Sequence, residues 1–159
     1  MKHLPKHLQP RWRYLAVAIE AWPDAEIGRR AFQRELWYAG QNLLGDPGSA
    51  DADLRLMRYS LGDGSGGAIV RVRRGEVEAA RAAIACVDEV DGHPVGIRVS
   101  GVSGSVDAAS ESYLGDPTTC STQREVAFDG TDSPARSRDG VVDIETPAGW
   151  LGATVHDIE

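Results

Sequence analysis

Lysine is almost missing from this chain: of 17 basic residues only Lys2 and Lys6 are lysines, and the other 15 are arginines. Cysteine is as scarce. Cys86 and Cys120 stand alone with no C-x-x-C spacing, which excludes a disulfide framework and the usual zinc or redox motifs. No apolar run approaches the ~20 residues of a membrane-spanning helix, because Arg, Asp, Glu or Gly interrupts each one. The N-terminus lacks the charged segment, apolar core and cleavage site of an export signal. Together these absences predict a reduced, cytoplasmic protein. At this length a folded unit buries roughly 68–70% of its unfolded surface, so no staple or structural metal is needed to hold it together.

What is present is acid. The 24 Asp and Glu leave a net charge of −7. An acidic, Lys-poor composition fits a salt-adapted proteome and GC-rich codon usage equally well. At molar salt the screening length falls to about 3 Å, so net acidity does not exclude RNA as a partner. The charge is also uneven: residues 1–20 carry +3, whereas residues 115–159 hold nine acids against three arginines. From Gly115 to about Gly140 the chain is rich in Ser, Thr, Asp, Gly and Pro, a composition expected to stay disordered. Val141 to Ile158 is read as a short docked segment. The organisation expected is a folded domain over 1–114 and a largely disordered acidic tail over 115–159.

Within the first domain, Leu15, Val17 and Ile19 alternate with Tyr14, Ala16 and Ala18, the pattern of a half-buried strand. Asp24 is a candidate N-cap for a helix carrying Phe32, Leu36, Ala39 and Leu43 and closed by Gly45. Ala52–Leu61 and Ala68–Arg73 read as a hairpin joined by a glycine cluster. Val77, Ala80, Ile84 and Val87 then mark a second helix, and Val95, Ile97 and Val99 a fourth strand. The order β-α-β-β-α-β predicts an α+β, ferredoxin-like (RNA-recognition-motif-like) antiparallel sheet with two helices on one face. Ser105–Leu114 is expected to add a helix over part of the other face through Val106, Ala109 and Tyr113.

Few motifs carry chemistry. Gly62, Gly64 and Gly67 match G-x-G-x-x-G, but a strand follows where a phosphate loop needs a helix, so a hairpin turn is the better account. His3 and His7 share a helical spacing broken by Pro5 and have no ligand partner nearby; they, His93 and His156 read as surface residues, and no metal site is expected. Cys86 is expected to be a buried thiol of the second helix and Cys120 an incidental one. Ser103 lacks the spacing of a nucleophile elbow, and no catalytic residue can be named.

The arginines form the one suggestive pattern. Arg71 and Arg73 oppose Ala68, Val70 and Val72 on the third strand, and Arg98 opposes Ile97 and Val99 on the fourth. With the valines facing the helices, these three point to the open face, where Tyr14 and Arg55 also belong. Guanidinium groups there either contact phosphate or pair with acids such as Asp107 and Glu111 on the covering helix. The third strand has none of the aromatics that stack bases in single-strand readers, which leaves backbone contacts or a protein interface. The basic opening, Lys2, Lys6, Arg11 and Arg13 around Trp12, is a second candidate contact.

The opening from Lys2 to Leu15, the stretch Leu36–Gly45, the strand Ala68–Val72 and the junction Val99–Val106 resemble the archaeal ribonuclease P component 2 family, in its haloarchaeal branch. The resemblance covers residues 1–114. It implies a subunit of the ribonucleoprotein that removes 5′ leaders from precursor tRNA, with the chemistry on an RNA subunit that holds Mg2+ and no cofactor on this chain. It also implies pairing with protein component 3 as two copies of each, contacts with other protein subunits and precursor tRNA, and a cytoplasmic location. Lys2, Lys6, Arg11, Arg13, Arg71, Arg73 and Arg98 are the RNA-binding candidates. The competing class is a ferredoxin-like interaction or regulatory module that makes no contact with RNA.

Overall fold

The computed structural model describes residues 4–9, 11–114, 122–138, 141–154 and 156–158. Alternation drives β1 (Trp12–Ala21), β2 (Arg55–Gly62) and β3 (Ser65–Arg73), followed by the two-residue β4 (Glu89–Val90) and β5 (His93–Ser103). They pair antiparallel in the order β2-β3-β1-β5-β4, the split βαβ arrangement with a short hairpin added at one edge. α1 (Arg29–Ala52) and α2 (Val77–Ala85) pack on one face. Leu15, Val17 and Ile19 of β1 meet Phe32, Leu36, Ala80 and Ile84 of the helices, all almost fully buried. Each such large side chain contributes roughly 1.5–3 kcal/mol on leaving water.

Several element boundaries differ from the sequence reading, among them β3, which starts at Ser65 rather than Ala68. α1 begins after Gly28 rather than Asp24, because Pro23 and Asp24 form a turn closed by the Ala25 N–H donating to the Trp22 carbonyl. The helix does break at Gly45 (φ 72°), then resumes as far as Ala52, so β2 starts at Arg55 rather than Ala52. Asp53, in the left-handed region at φ 48°, ends it. α1 also closes the sheet edge at β2. The Gln33 side-chain oxygen accepts from the Leu56 N–H at 2.6 Å, Arg29 donates to the Leu56 carbonyl at 2.7 Å, and Trp37 Nε1 donates to the Leu54 carbonyl at 2.9 Å. Backbone groups near the start of the edge strand are thereby occupied.

Tyr59 of β2 crosses to α1, its ring 5.3 Å from Phe32 and its hydroxyl donating to the Ile27 carbonyl. Burial pushes its phenol from 10.0 up to about 12. The unfolded chain therefore loses this proton first as pH rises, so the stabilisation is present below pH 10 and fades through about 12. Alkaline urea titrations should show stability falling across that window, and Tyr59→Phe should flatten the fall.

The other face of the sheet is half-covered, as the sequence implied. α3 (Val106–Ala109), capped by the Ser105 hydroxyl accepting from the Ala108 N–H, runs into a π-helical turn, Ser110–Leu114. Ala109 and Val106 pack on Ala16 and Ile69. The segment sits close because the sheet beneath it is small. A Cβ on Gly101 would lie 2.3 Å from the Tyr113 ring, and one on Gly67 would lie 2.9 Å from Leu114.

The acidic tail is corrected. Residues 122–154 contain a four-stranded antiparallel meander, β6 (Thr122–Phe128), β7 (Thr131–Arg138), β8 (Val141–Thr146) and β9 (Gly149–Thr154). Average composition hides what period-two placement provides: Val126, Ala135, Val142, Ile144 and Ala153 converge into a small core of their own. Val141–Ile158 is thus two strands of this sheet and the residues after them rather than a docked single segment. Residues 115–121, 139 and 140 of the expected disordered stretch lie outside the described residues. Strands β7 and β9 of this sheet meet the first layer, with Arg136 bridging to Asp63 at 3.1 Å and Trp22 reaching the neighbourhood of Gly152. Among the described residues no helix is long and apolar enough to cross a membrane.

Candidate nucleic-acid interface

One end of the central strands gathers arginine and aromatic side chains. Trp12 opens β1 opposite Arg73, Tyr14 lies opposite Arg71, and Arg71 lies opposite Arg55 on β2. All five share the parity of Ala16 and Ile69, the face away from α1 and α2. The Arg71 guanidinium stacks 3.7 Å from the Trp12 ring centroid and that of Arg73 lies 5.7 Å from it. Such contacts are worth about 0.5–2 kcal/mol. The Arg74 N–H donates to the Arg11 carbonyl, which brings two further cations to the same end.

The arginines there are not equivalent. Arg71 is only 18% exposed, pairs with Asp53 at 3.8 Å and has a buried Nε without a hydrogen-bond partner among the described residues. It braces Trp12 against the end of α1. Arg11, Arg55, Arg73 and Arg74 are exposed and carry the positive surface.

The remaining sequence candidates fall elsewhere. Arg13 has the parity of Leu15, points to the helix side of the sheet and places its guanidinium beside Gly104. Arg98 is on the open face as expected but pairs with Ala18, in the row where Leu114 covers Gly67, well along the sheet from Trp12. Lys6 is exposed in a 3-10 turn, Lys6–Leu8, and Lys2 lies outside the described residues. The expected pairing of arginines with the covering helix does occur, through a different partner: Arg58 bonds Asp107 at 2.6 Å. It reaches that position because Met57 bulges out of the β2 ladder and shifts the register. Sequence reasoning missed Arg74, whose signal is its adjacency to Arg73 at the end of β3.

Other candidates resolve simply. Gly62 and Gly64 belong to the β2–β3 turn and Gly67 to β3, so the G-x-G-x-x-G match is a hairpin. Cys86 is an exposed free thiol just past α2 rather than a buried one, because it caps the helix at a position turned away from the sheet. Cys120 and His3 lie outside the described residues. His7 and His156 are exposed, His93 is half-buried in β5, and Ser103 pairs with Tyr14 inside the sheet. Among the described residues no group of three or more His, Cys, Asp or Glu is placed to hold a metal ion.

The fold and this edge define a split βαβ protein whose open face presents cations beside an aromatic ring. Residues 13–114 match the Rpp14/Pop5 family, and the chain belongs to it. Over its full length the chain is 58% identical to ribonuclease P protein component 2 of Halorubrum lacusprofundi, covering 100% of both chains. It is 56% identical to the protein of that name from Natronomonas pharaonis, over 99% of this chain and 98% of the other. The protein of that name from Methanosarcina acetivorans is 30% identical over 86% of this chain and 98% of its own length. A chain in the structure of yeast ribonuclease MRP overlies 63% of this one and 79% of itself, at 18% identity and a TM-score of 0.47. The family match ends at Leu114, before the second sheet, whereas the Halorubrum relative aligns through it.

Proposed function

We propose that this chain is a protein subunit of ribonuclease P, the ribonucleoprotein that trims 5′ leaders from precursor tRNA, and that it holds the enzyme's RNA by its cationic edge. The observation that carries the reading is the cluster of exposed Arg11, Arg55, Arg73 and Arg74 around Trp12, in a chain of net charge −7 that belongs to the Rpp14/Pop5 family. Arginine forks bind phosphate bidentately, and a neighbouring indole offers a stacking surface for an unpaired base. Neutralising phosphates where the RNA strands crowd lowers their repulsion and releases counterions.

The chemistry belongs to the RNA. Mg2+ held by that RNA would supply the activation of water, while this chain's residues orient and neutralise the RNA without touching the reacting atoms. Lys2 and Lys6, from the basic opening of the sequence, are further RNA contacts on this reading. Arg13 and Arg98, set apart from it, are secondary contacts. The protein partners proposed are component 3, with two copies of each, and the remaining protein subunits, in the cytoplasm with precursor tRNA as substrate.

The test is reconstitution of precursor-tRNA cleavage from RNA and purified subunits at high salt, with and without this chain. The reading requires that omission slow cleavage and that the isolated chain leave precursor tRNA intact. Unchanged cleavage on omission, together with no retention of the RNA, makes the chain an interaction module instead.

A further inference from the structure

On the helix side, away from the cationic edge, α1 carries an acid-rimmed apolar groove. It has a volume of about 370 Å³ between α1 and the chain following α2, with Tyr38, Leu43 and Val87 supplying apolar surface and Glu35, Asp88 and Glu89 supplying charge. Tyr38 is 51% exposed and Leu43 48%, although both sit on a helix whose neighbouring Leu36 is fully buried. Trp37, the third exposed large side chain of this stretch, is already engaged with the Leu54 carbonyl on the opposite flank. Tyr38 and Leu43 have no such engagement among the described residues.

The rim decides what fits. No cation among the described residues lines the groove, and Arg34 beside it is bonded to Asp91 at 2.6 Å. Three carboxylates over an apolar floor repel RNA phosphate. The same groove of a second copy, related by a two-fold axis, would set acid against acid. A helix with an apolar stripe flanked by Lys or Arg satisfies both parts at once: its stripe covers Tyr38 and Leu43, and its cations reach Glu35, Asp88 and Glu89.

We propose that this groove receives a basic, apolar-faced helix from another protein subunit of the particle. The proposal rests on the ribonuclease P reading and adds a second, protein-facing surface to it. The full-length chain is titrated with each purified protein subunit of the reconstituted enzyme, using wild type, the charge reversal Glu35→Lys/Glu89→Lys at moderate salt, and Leu43→Ser at molar salt. Leu43 and Glu89 are exposed and Glu35 is half-buried, and a wild-type urea midpoint confirms that each variant is folded. Both variants are expected to lose at least tenfold in affinity for one and the same protein subunit while retaining the RNA as wild type does. Wild-type affinity of the variants for every subunit overturns the proposal. So does loss of RNA binding, or a change confined to self-association measured by sedimentation, which would make the occupant RNA or a second copy. If wild type binds none of the protein subunits, the subunit reading falls and the groove proposal with it; if only the variants are unaffected, the groove proposal falls alone.

Discussion

Replacing Arg55, Arg73 and Arg74 together by Ala is expected to weaken binding to ribonuclease P RNA by roughly tenfold to a hundredfold, about 1.4–2.7 kcal/mol. The three are exposed at the Trp12 end of the sheet and none has an ion-pair partner among the described residues. Their loss leaves no buried charge behind and should barely move the unfolding midpoint. A control removes the same charge elsewhere, with Arg30→Ala, Arg81→Ala and Arg124→Ala, all exposed and away from this edge. Because each phosphate contact releases counterions, log K plotted against log salt should flatten by roughly 2 for the edge variant and much less for the control. Equal losses in the two triple variants would mean that net charge rather than this edge governs binding. Cleavage in the reconstituted enzyme should fall in parallel at moderate salt and recover when the variant is supplied in excess.

Arg71 behaves differently from its neighbours, and the difference follows from position. Asp53 and the Trp12 ring hold its guanidinium, and its orphaned Nε already carries a desolvation cost. Removing it frees Trp12 and unpairs Asp53, so its substitution mixes stability with binding. An RNA-contact assignment for Arg71 needs both readouts, whereas Arg73 needs only the second. Strand parity placed the two on one face; it had no access to the cap of α1, where Asp53 adopts its left-handed conformation and becomes available as a partner.

The legible part of the molecule was its periodicity. Leu15, Val17 and Ile19 against Phe32, Leu36 and Ile84 sit in one core, and the strand order and antiparallel pairing follow the split βαβ plan read from the sequence. What escaped depended on local geometry that a face count ignores. The Met57 bulge moved Arg58 onto Asp107, and Arg13, one residue from Trp12, fell on the opposite face. The second sheet escaped for another reason. Its composition is poor in apolar residues, yet Asp129-Gly130, both at positive φ between Phe128 and Thr131, is the strongest short-range hairpin signal a sequence carries. Averaging over the segment removed that signal; reading its turns one at a time would have kept it.

The same turn chemistry makes Gly64→Ala a strongly damaging substitution in the first sheet. Asp63 and Gly64, at φ 52° and 75°, form the two-residue turn joining Gly62 to Ser65, a geometry whose twist matches the flanking strands. Asp tolerates its position, while a Cβ at Gly64 costs roughly 1–2 kcal/mol for the left-handed backbone alone. It would also lie 2.4 Å from the Ala21 carbonyl oxygen and 3.1 Å from Trp22 and Pro23 backbone atoms, with no flexible side chain to yield. The Gly64 carbonyl accepts from the Ala21 N–H at 2.8 Å, so the turn can escape the collision only by releasing β1. Adding about 1–3 kcal/mol for overpacking, the total loss should be about 2–5 kcal/mol. Gly62→Ala is the matched control, since a Cβ there meets nothing within 4 Å. Urea unfolding should show a large drop for Gly64→Ala and a small one for Gly62→Ala. A glycine loop that cradled phosphate would give the reverse signature, lost ligand binding with stability kept, and that result would restore the nucleotide-loop reading of these glycines.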